Sequence, residues 1–306
     1  MKAGGPIVFF LFSLSRFSFA GEAALSVALK STEVRQGGIT EIKVSGEEIQ
    51  TVKGFLRDQE IAFFPEQGSF TALFGVDLEQ KAGPIEVAIH GRSKNGDKRE
   101  KLITLRVKEK VFPREKISVP AAFDRIDEAT RQRIQKEQEQ LSRLWAISTP
   151  QRWWEGRFLA PVAGGITSPF GLRRIVNGLP RSPHGGVDLK ANLGTDVFAA
   201  NHGQVVLREE FFFSGKSIVL DHGGGLYTMY FHLADFNVEK GSQVRKGELI
   251  GRAGMTGRVT GPHLHWGVRL NGARVDPFEL VGATGDGSTA LSGSPPKGRQ
   301  QTEGRR

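Results

Sequence analysis

The sequence predicts a mainly β protein, and three observations support that class. Short runs of alternating apolar and polar residues recur along most of the chain, separated by turn-forming clusters such as Glu66-Gln67-Gly68 and Asn95-Gly96-Asp97. Glycine is abundant, at 39 of 306 residues. A long stretch without glycine or proline, DRIDEATRQRIQKEQEQLSRLWAIS at 124–148, has the apolar spacing of a single amphipathic helix. The chain is long enough for about two domains of roughly 100–200 residues.

Composition limits the partners and the metal chemistry. The net charge of +9 favours an anionic neighbourhood, such as nucleic acid, a lipid surface or an anionic cell-wall polymer. Basic residues are not interleaved with aromatic ones as on nucleic-acid-binding surfaces, so we do not expect nucleic acid as a partner. The chain has no cysteine, which excludes disulfides and thiolate ligands. Any metal must therefore bind to His, Asp, Glu or water.

The first twenty residues predict export. Lys2 precedes an apolar run at 7–14, and Ser18-Phe19-Ala20 supplies the small residues of a signal-peptidase site, so we expect a signal peptide at 1–20. Arg16 interrupts the run late and leaves an uncleaved anchor as the alternative. The run is shorter than the roughly 20 residues of a membrane span, and no later stretch is a transmembrane candidate. The expected location is the periplasm or cell envelope.

Residues 21–110 are predicted to form a β-sandwich of the Ig-like kind. The prediction rests on seven short strand-like runs at regular spacing: LSVALKS, TEIKVSG, TVKGFLR, EIAFFPE, SFTALFGVDL, PIEVAIHG and KLITLRVKE. The segment contains no catalytic cluster. Its one histidine, His90, ends a strand alone and is interpreted as structural or exposed.

Residues 111–154 are predicted to hold a linker followed by the amphipathic helix. Pro113 and Pro120 mark the linker at 111–123. The helix has a narrow apolar stripe, and we expect it to act as a strut between domains, although it could pack on its own chain or on a partner. The stripe consists of Ile126, Ile134, Leu141 and Leu144.

Residues 155–282 and 283–306 differ sharply in composition. The first segment is rich in glycine and strand-like runs and contains six of the seven histidines, so we expect the chemistry there. The second contains Gly, Ser and Pro with Lys and Arg and almost nothing apolar, which predicts a disordered basic tail.

Three stretches of 155–282 place imidazoles beside apolar faces. In PHGGVDLK at 183–190, His184 and Asp188 would lie roughly 13 Å apart on a straight strand, so Gly185-Gly186 is interpreted as a bend that lets both side chains reach one ion. An ordinary turn would have the same composition. In PHLHWGVRL at 262–270, strand alternation puts His263 and His265 on one face. The opposite, core-facing set is Leu264, Trp266, Val268 and Leu270.

The third stretch is YTMYFHL at 227–233. Alternation here predicts that Met229, Phe231 and Leu233 point to the core, and that Thr228, Tyr230 and His232 point the other way.

Together these residues predict a zinc site. Zinc binds His nitrogen and Asp oxygen at about 2.0–2.2 Å, and a catalytic zinc has three protein ligands and one open position. His184, Asp188 and one member of the His263/His265 pair would supply them. The other member and His232 would then lie beside the metal, free to move protons or stabilise an oxyanion. We interpret His202 and His222 as structural or surface residues, because each lies at a turn.

The motifs and their order resemble the lysostaphin-type zinc metallopeptidases of bacterial cell walls. The H-x-x-x-D of PHGGVDLK and the H-x-H of GPHLHWGV are accompanied, in that family's order and spacing, by further matching stretches across 155–281. These stretches are SPFGLR, GTDVFAANHGQVV, VLDHGGGLYTMYFHL, GSQVRKGELIGRAGMTGRVTGPHLHW and DPFEL. The resemblance implies a C-terminal antiparallel β-sheet groove.

The resemblance also implies a role for each site residue. His184, Asp188 and His265 correspond to the zinc ligands. His263 corresponds to the general base that takes a proton from water, and His232 to the second catalytic histidine, which stabilises the tetrahedral intermediate.

We therefore expect an exported zinc metalloendopeptidase that hydrolyses peptide bonds in peptidoglycan. The alternative is a non-enzymatic regulator of other wall hydrolases, since relatives that have lost zinc ligands act that way; here every ligand position is filled. A third class, a secreted lectin-like binder, would need only the β-sandwich. Protein regulators as partners remain unidentified by the sequence.

Overall fold

The computed structural model describes residues 25–120 and 126–285. The predicted signal peptide at 1–20 and residues 286–306 of the predicted tail lie outside the described residues. Residues 283–285 of that tail are described, and Ala283 is the last residue of a short helix. Within the described ranges, no helix combines the length and the hydropathy that a membrane span requires.

Nine strands between residues 26 and 108 form two sheets. One sheet has the order β1-β3-β7-β6 and the other the order β2-β9-β8-β4-β5. The strands are β1 (Ser26–Leu29), β2 (Glu33–Arg35), β3 (Ile39–Ser45), β4 (Ile49–Leu56), β5 (Gln59–Ala62), β6 (Phe64–Glu66), β7 (Ser69–Gly75), β8 (Gly83–Ser93) and β9 (Lys98–Lys108). The seven-strand prediction missed the short β2, and it joined β5 and β6, which belong to different sheets on either side of Phe63.

Both sheets contribute to one hydrophobic core, as in a β-sandwich. Alternating inward residues are removed almost completely from water, and this apolar burial is what holds the sheets together. The most deeply buried members are Ile42, Val44 and Phe74 of the first sheet and Ile61, Ile89 and Leu105 of the second.

The segment predicted as a linker contains a strand. β10 (Arg114–Ile117) pairs in parallel with β12 (Arg173–Val176), which in turn pairs with β13 (Leu179–Pro180). Pro113 and Pro120 flank the strand, and neither interrupts its ladder. The linker prediction at 111–123 was therefore wrong for this part.

A ten-stranded sheet dominates the rest of the chain. Its main path is β11-β14-β21-β18-β17-β16-β19, while β20 pairs with β15 and β18, and β22 pairs with β21. The strands are β11 (Ile166–Ser168), β14 (Gly186–Leu189), β15 (Asp196–Phe198), β16 (Gly203–Phe211), β17 (Gly215–Gly223), β18 (Leu226–Phe236), β19 (Gln243–Val244), β20 (Leu249–Ala253), β21 (Leu264–Leu270) and β22 (Ala273–Val275). The mainly β class is confirmed.

Two helices are described, α1 (Glu128–Trp145) and α2 (Pro277–Ala283). Asp127 caps α1, and its carboxylate accepts a hydrogen bond from Thr130 N–H at 2.7 Å. The apolar edge of α1 packs on the ten-stranded sheet rather than bridging two domains as a strut. Leu141, Leu144 and Trp145 lie against a cluster formed by Leu207, Phe211, Val219, Tyr227 and Met229.

The sandwich and the ten-stranded sheet meet at a polar and close-packed contact. Arg274 of β22 donates to both Asp77 carboxylate oxygens, at 2.8 and 3.0 Å, and to Glu79 at 2.7 Å. Burial alone would raise the pKa of Asp77, but the Arg274 hydrogen bonds outweigh it and hold the pKa below its usual range. A Cβ on Gly75 would lie 2.8 Å from the Val275 side chain, so the backbone of β7 packs directly against β22 with no room for a side chain between them.

His222 is part of a buried hydrogen-bond chain beneath the sheet. Its Nδ1 lies 2.6 Å from His202 O and its Nε2 lies 2.7 Å from Thr228 Oγ1, which contacts Tyr230 Oη at 2.9 Å. Because the carbonyl can only accept, Nδ1 carries the proton and Nε2 accepts from Thr228. Burial lowers the pKa of His222 to about 4. The interpretation of His222 as structural is consistent with this network.

The buried neutral His222 predicts acid-sensitive stability. Below its ordinary pKa of 6.5 the unfolded imidazole binds a proton, while the folded one does not until about pH 4, so lowering the pH favours unfolding. We expect His222 to contribute a loss of about 2 kcal/mol between pH 7 and pH 5. Melting temperatures of the wild type and His222→Gln at both pH values check this. The variant should be less stable at pH 7 and show the smaller decrease; an equal decrease in both proteins contradicts the assignment.

Candidate metal centre

The structure brings His184, Asp188 and His265 to one point. Asp188 Oδ1 lies 3.0 Å from His184 Nε2 and 3.0 Å from His265 Nδ1, and the two imidazole nitrogens are 2.9 Å apart. The three side chains are only 11–13% exposed. These are the three residues that the sequence predicted as metal ligands, and the described residues hold them in a group whose size suits one metal ion.

Sheet register places two of the three. β14 and β21 are antiparallel neighbours, and Asp188 is directly opposite His265, so their side chains leave the same face of the sheet. His184 precedes β14 and is fixed by its backbone: His184 N–H donates to Leu172 O at 3.0 Å, and His184 O accepts from Gly171 N–H at 2.8 Å. The SPFGLR segment at 168–173 thus holds the third side chain over the cross-strand pair.

The two glycines between His184 and Asp188 have a role different from the predicted one. Neither adopts a positive φ, so they do not supply an unusual bend. A Cβ on Gly186 would instead lie 2.8 Å from His265 Nε2 and collide with the Trp266 carbonyl, whereas a Cβ on Gly185 would meet only Arg274 at 3.7 Å. Gly186 leaves the space that the His265 imidazole occupies.

The environment of His184 leaves a lone pair facing a carboxylate. His184 Nδ1 lies 3.0 Å from the Pro169 carbonyl, which can only accept, so the hydrogen-bond network assigns the proton to Nδ1. Nε2 then presents its lone pair to Asp188 Oδ1 and to His265 Nδ1. Three acceptor atoms this close require a proton or a cation among them. Two nitrogens and one oxygen without thiolate match the donor set of a catalytic zinc, and a carbonyl that orients the ligand histidine is a usual accompaniment.

His263 lies beside this group but does not join it. Its Nδ1 is 2.9 Å from Gly261 O, so the proton is assigned to Nδ1 and the lone pair of Nε2 points towards the cluster, 3.7 Å from Asp188 Oδ1. His265 instead directs Nδ1 at the cluster and stacks on Phe231, with ring centroids 5.3 Å apart. The predicted core set on the opposite face of β21 is confirmed, since each of its members is at most 1% exposed.

His232 reaches the site through a break in strand alternation. Phe231 is opposite His265 and Tyr230 is opposite Trp266, so Phe231 lies on the site face and Tyr230 in the core. The same pairing puts Thr228 opposite core residue Val268 and Met229 opposite Gly267, so the predicted faces of all four residues from Thr228 to Phe231 were wrong. At His232 the pairing register shifts and φ is +63°, a conformation that costs a residue with a Cβ about 1–3 kcal/mol. This bulge returns His232 to the site face.

The His232 imidazole lies beside the cluster. Its ring centroid is 4.8 Å from that of His263 and 6.2 Å from that of His265. Its Nδ1 lies 3.0 Å from Thr256 O, which assigns the proton to Nδ1 and leaves Nε2 as an acceptor. Burial, with help from the neighbouring histidines, lowers the pKa of His232 to about 3, so the ring is neutral near pH 7.

Burial and hydrogen bonding act in opposite directions on the Asp188–His265 pair. Burial would raise the pKa of Asp188, but the neighbouring His184 and His265 imidazoles outweigh it and hold the pKa well below its usual range. Burial also lowers the pKa of His265, against the opposing effect of Asp188. The carboxylate is therefore ionised and the imidazole is disposed to be neutral, which are the states that bind a divalent cation.

Sequence reasoning missed the residues that orient the histidines. Three of them act through backbone carbonyls, on Pro169, Thr256 and Gly261, and carry no side-chain signal. A further contact is made by Ser168 Oγ, which lies 3.4 Å from His184 Nδ1 and accepts from Arg174 Nη2 at 2.9 Å. Ser168 and Pro169 both belong to the SPFGLR stretch, so the motif pointed to this region without revealing its function.

The three consecutive phenylalanines near the site have different environments. Phe211 is buried beneath α1, whereas Phe213 is 41% exposed and packs near Arg258, with Met255 exposed nearby in sequence. The run thus supplies both a buried and an exposed aromatic residue. His202 lies apart from the cluster, about a third exposed and 4.0 Å from Glu155.

Comparisons with known proteins match this region. The sequence model of peptidase family M23 matches residues 182–277. A 115-residue segment is 38% identical to peptidoglycan DD-endopeptidase ShyA of Vibrio cholerae serotype O1, covering 37% of this chain and 27% of that protein. A 116-residue segment is 40% identical to DD-carboxypeptidase/endopeptidase Mpg of Neisseria meningitidis serogroup B, covering 38% of this chain and 27% of that protein. The match thus spans about a quarter of these curated relatives.

A solved structure matches over most of the chain. The crystal structure of an M23 peptidase candidate from Pseudomonas aeruginosa is similar with a TM-score of 0.65 and 30% sequence identity. The alignment covers 81% of this chain and 95% of that one, so the likeness includes residues well beyond the 182–277 segment. With the family model matching the segment that holds His184, Asp188, His263 and His265, the chain belongs to peptidase family M23.

Proposed function

We propose that the chain is an exported zinc metalloendopeptidase that hydrolyses peptide bonds in peptidoglycan. The observation that carries the proposal is the convergence of His184 Nε2, Asp188 Oδ1 and His265 Nδ1, with two further imidazoles beside them. The family, and the names of the peptidoglycan DD-endopeptidase relatives, support a wall substrate. The net charge of +9 suits an anionic wall, and a wall substrate places the enzyme in the periplasm or cell envelope.

His184, Asp188 and His265 would hold the metal. When bound, zinc supplies a Lewis acid that polarises the scissile carbonyl and lowers the pKa of water towards about 7. His263 Nε2, with its lone pair turned to the cluster, is placed to accept a proton from water as the general base.

His232 is the second catalytic residue in this proposal. While its Nδ1–H is bound to Thr256 O, neutral His232 has no proton on Nε2 to give. It can therefore stabilise the oxyanion of the tetrahedral intermediate only when Nε2 carries a proton.

The sandwich at 21–110 and the segment 155–282 are proposed as separate domains. One hydrophobic cluster lies wholly within the sandwich, whereas the main cluster of the second segment also takes in Phe64 and Leu78 of the sandwich. The sandwich would serve as a targeting or occluding module. The alternative function, a non-enzymatic regulator that binds peptidoglycan, is disfavoured by the complete donor set.

Zinc content tests the ligand set. We expect about one zinc per chain, and we expect His184→Ala and Asp188→Ala each to lose most of it, because two ligands cannot replace three. Elemental analysis of the purified proteins measures this. His202→Ala, outside the cluster, is the control and should retain full zinc. Full occupancy in either ligand variant would disprove the assignment.

Digestion of purified peptidoglycan tests the reaction. The wild type should release muropeptides with cleaved peptide cross-links, detected by mass spectrometry, whereas His263→Ala should bind zinc normally and lose about 10²–10⁴-fold in kcat. His265→Ala should lose zinc itself. Zinc loss in His263→Ala with zinc retained in His265→Ala would show that the pair is assigned in the wrong order, and an inactive but zinc-loaded wild type would favour the regulator.

The two adjacent glycines provide a matched test of the site's packing. Gly186→Ala should displace the His265 ring and lower zinc affinity, because its methyl group would lie 2.8 Å from His265 Nε2. Gly185→Ala should bind zinc like the wild type, since its methyl group meets only Arg274 at an ordinary contact distance. Zinc titration with a competing chelator compares them. Equal affinities would mean that the strand relaxes to admit the methyl group.

A further inference from the structure

One edge of β16 is covered by a helix instead of a strand. β17 pairs along one side of β16, while on the other side β19 pairs only with Gly203 and Gln204. Glu210 and Phe212 are two residues apart at the far end, so their backbone groups point in the same direction. Towards that end the outer edge would leave backbone donors and acceptors without a strand partner.

Arg133 and Glu137 of α1 bind this end of β16. They are one helical turn apart and pair with each other, with Arg133 Nε 2.7 Å from Glu137 Oε1. The Glu137 carboxylate accepts from Phe212 N–H through both oxygens, at 2.9 and 3.1 Å, and Arg133 Nη2 donates to Glu210 O at 3.0 Å. Glu137 is only 14% exposed.

The same hairpin end supports the backbone of His232. Residues 211–215 form the turn from β16 to β17, and Ser214 O in that turn accepts from His232 N–H at 2.8 Å. Phe213 O accepts from Arg258 N–H at 3.0 Å. A Cβ on Gly257 would lie 2.5 Å from Phe213 O, so the turn and the 256–258 loop are in backbone contact with no free space between them.

The side chain of His232 depends on that loop. His232 Nδ1 binds Thr256 O, and Thr256 Oγ1 in turn accepts from Lys216 N–H at 2.9 Å, at the start of β17. The backbone and the ring of His232 are therefore both anchored to the 211–216 hairpin end and the loop packed on it. A positive φ at a residue with a Cβ persists only where the surroundings over-determine it.

We propose that Glu137, paired with Arg133, is a positioning residue for His232: by holding the 211–215 turn, it fixes the geometry of the catalytic histidine without itself contacting the metal-ligand cluster. The inference rests on the proposed catalytic role of His232. Glu137 touches neither the metal-ligand cluster nor its two neighbouring imidazoles through any described contact.

A purely structural role for Glu137 would be to attach α1 to the sheet. Leu141, Leu144 and Trp145 already pack in the cluster beneath the helix one to two turns further on, and Trp145 lies edge-on to Tyr227 with centroids 5.4 Å apart. Loss of the Glu137 carboxylate therefore leaves the helix docked and releases the turn. This separates positioning from folding.

The test compares Glu137→Ala, Glu137→Gln and Glu139→Ala in the full chain. Glu139 is exposed on the same helix, and its carboxylate accepts from Gln135 Nε2 at 3.1 Å, so it is the matched control. Glu137→Ala should lower kcat on purified peptidoglycan about tenfold or more, with KM, zinc content and melting temperature close to wild type. Glu137→Gln should recover most of kcat, because its amide oxygen still accepts from Phe212 N–H. Glu139→Ala should match the wild type.

A second readout does not depend on turnover. The imidazole NMR signals of His232, assigned by their absence in His232→Ala, should shift in Glu137→Ala and stay in place in Glu139→Ala. Unchanged kcat and unchanged His232 signals in Glu137→Ala would overturn the proposal. So would a fall in kcat matched by loss of zinc, or one that Glu137→Gln fails to reverse.

The two proposals fail in different ways. If His232→Ala retains full turnover, or if the wild type does not cleave peptidoglycan, the catalytic role is wrong, and the NMR comparison still decides whether Glu137 positions the ring. If His232→Ala is inactive while Glu137→Ala is fully active, the positioning role alone is wrong. In a His232→Ala background, adding Glu137→Ala should lower the residual kcat no further.

Discussion

The register between β14 and β21 is the constraint on which the site depends. It puts Asp188 opposite His265, and the neighbouring strands extend the row with Ser168 opposite Asp188 and Phe231 opposite His265. Side chains at directly opposite positions of neighbouring strands lie close together, so a carboxylate and an imidazole there can bind the same ion. A slip of one residue would turn Asp188 into the core and expose Val187 in its place, so the apolar face that fixes the register also fixes the metal centre.

Sequence alternation predicted the parts of the site that lie on regular strands. PHLHWGVRL has a strict period of two, and its core and site faces are found where the pattern placed them. The same rule failed for YTMYFHL because a bulge intervenes. The residue types at 231 and 232 do not predict the positive φ of His232. The hydrogen bonds that stabilise this conformation come from Ser214 and Thr256, which are distant in sequence. His232 was assigned to the correct site through an incorrect account of its strand.

The orienting contacts were beyond prediction for a related reason. On His184, His232 and His263 a backbone carbonyl holds the Nδ1 proton, so that Nε2 is the nitrogen left for the site. Every residue type carries a backbone carbonyl, so the sequence gives no sign of these contacts. Gly186 is an intermediate case: the sequence marked it as unusual, but whether glycine supplies a rare φ or empty space depends on the neighbouring strand. The linker prediction missed β10 for the same reason. Pro113 and Pro120 do mark the ends of a segment, but that segment becomes a strand only by pairing with β12, which is distant in sequence.

Burial links the stability of the domain to the chemistry of its histidines. In water a histidine is protonated over much of the range below neutrality, and a protonated ring can neither ligate a metal nor accept a proton. Burial lowers the pKa of His222, His232 and His265 alike, yet only the last two lie at the metal-ligand cluster. His222 uses its neutral state to complete a hydrogen-bond chain in the core, whereas His265 keeps a lone pair for the metal site. The same desolvation therefore serves packing on one face of the sheet and reactivity on the other, and the strand faces decide which of the two a given histidine serves.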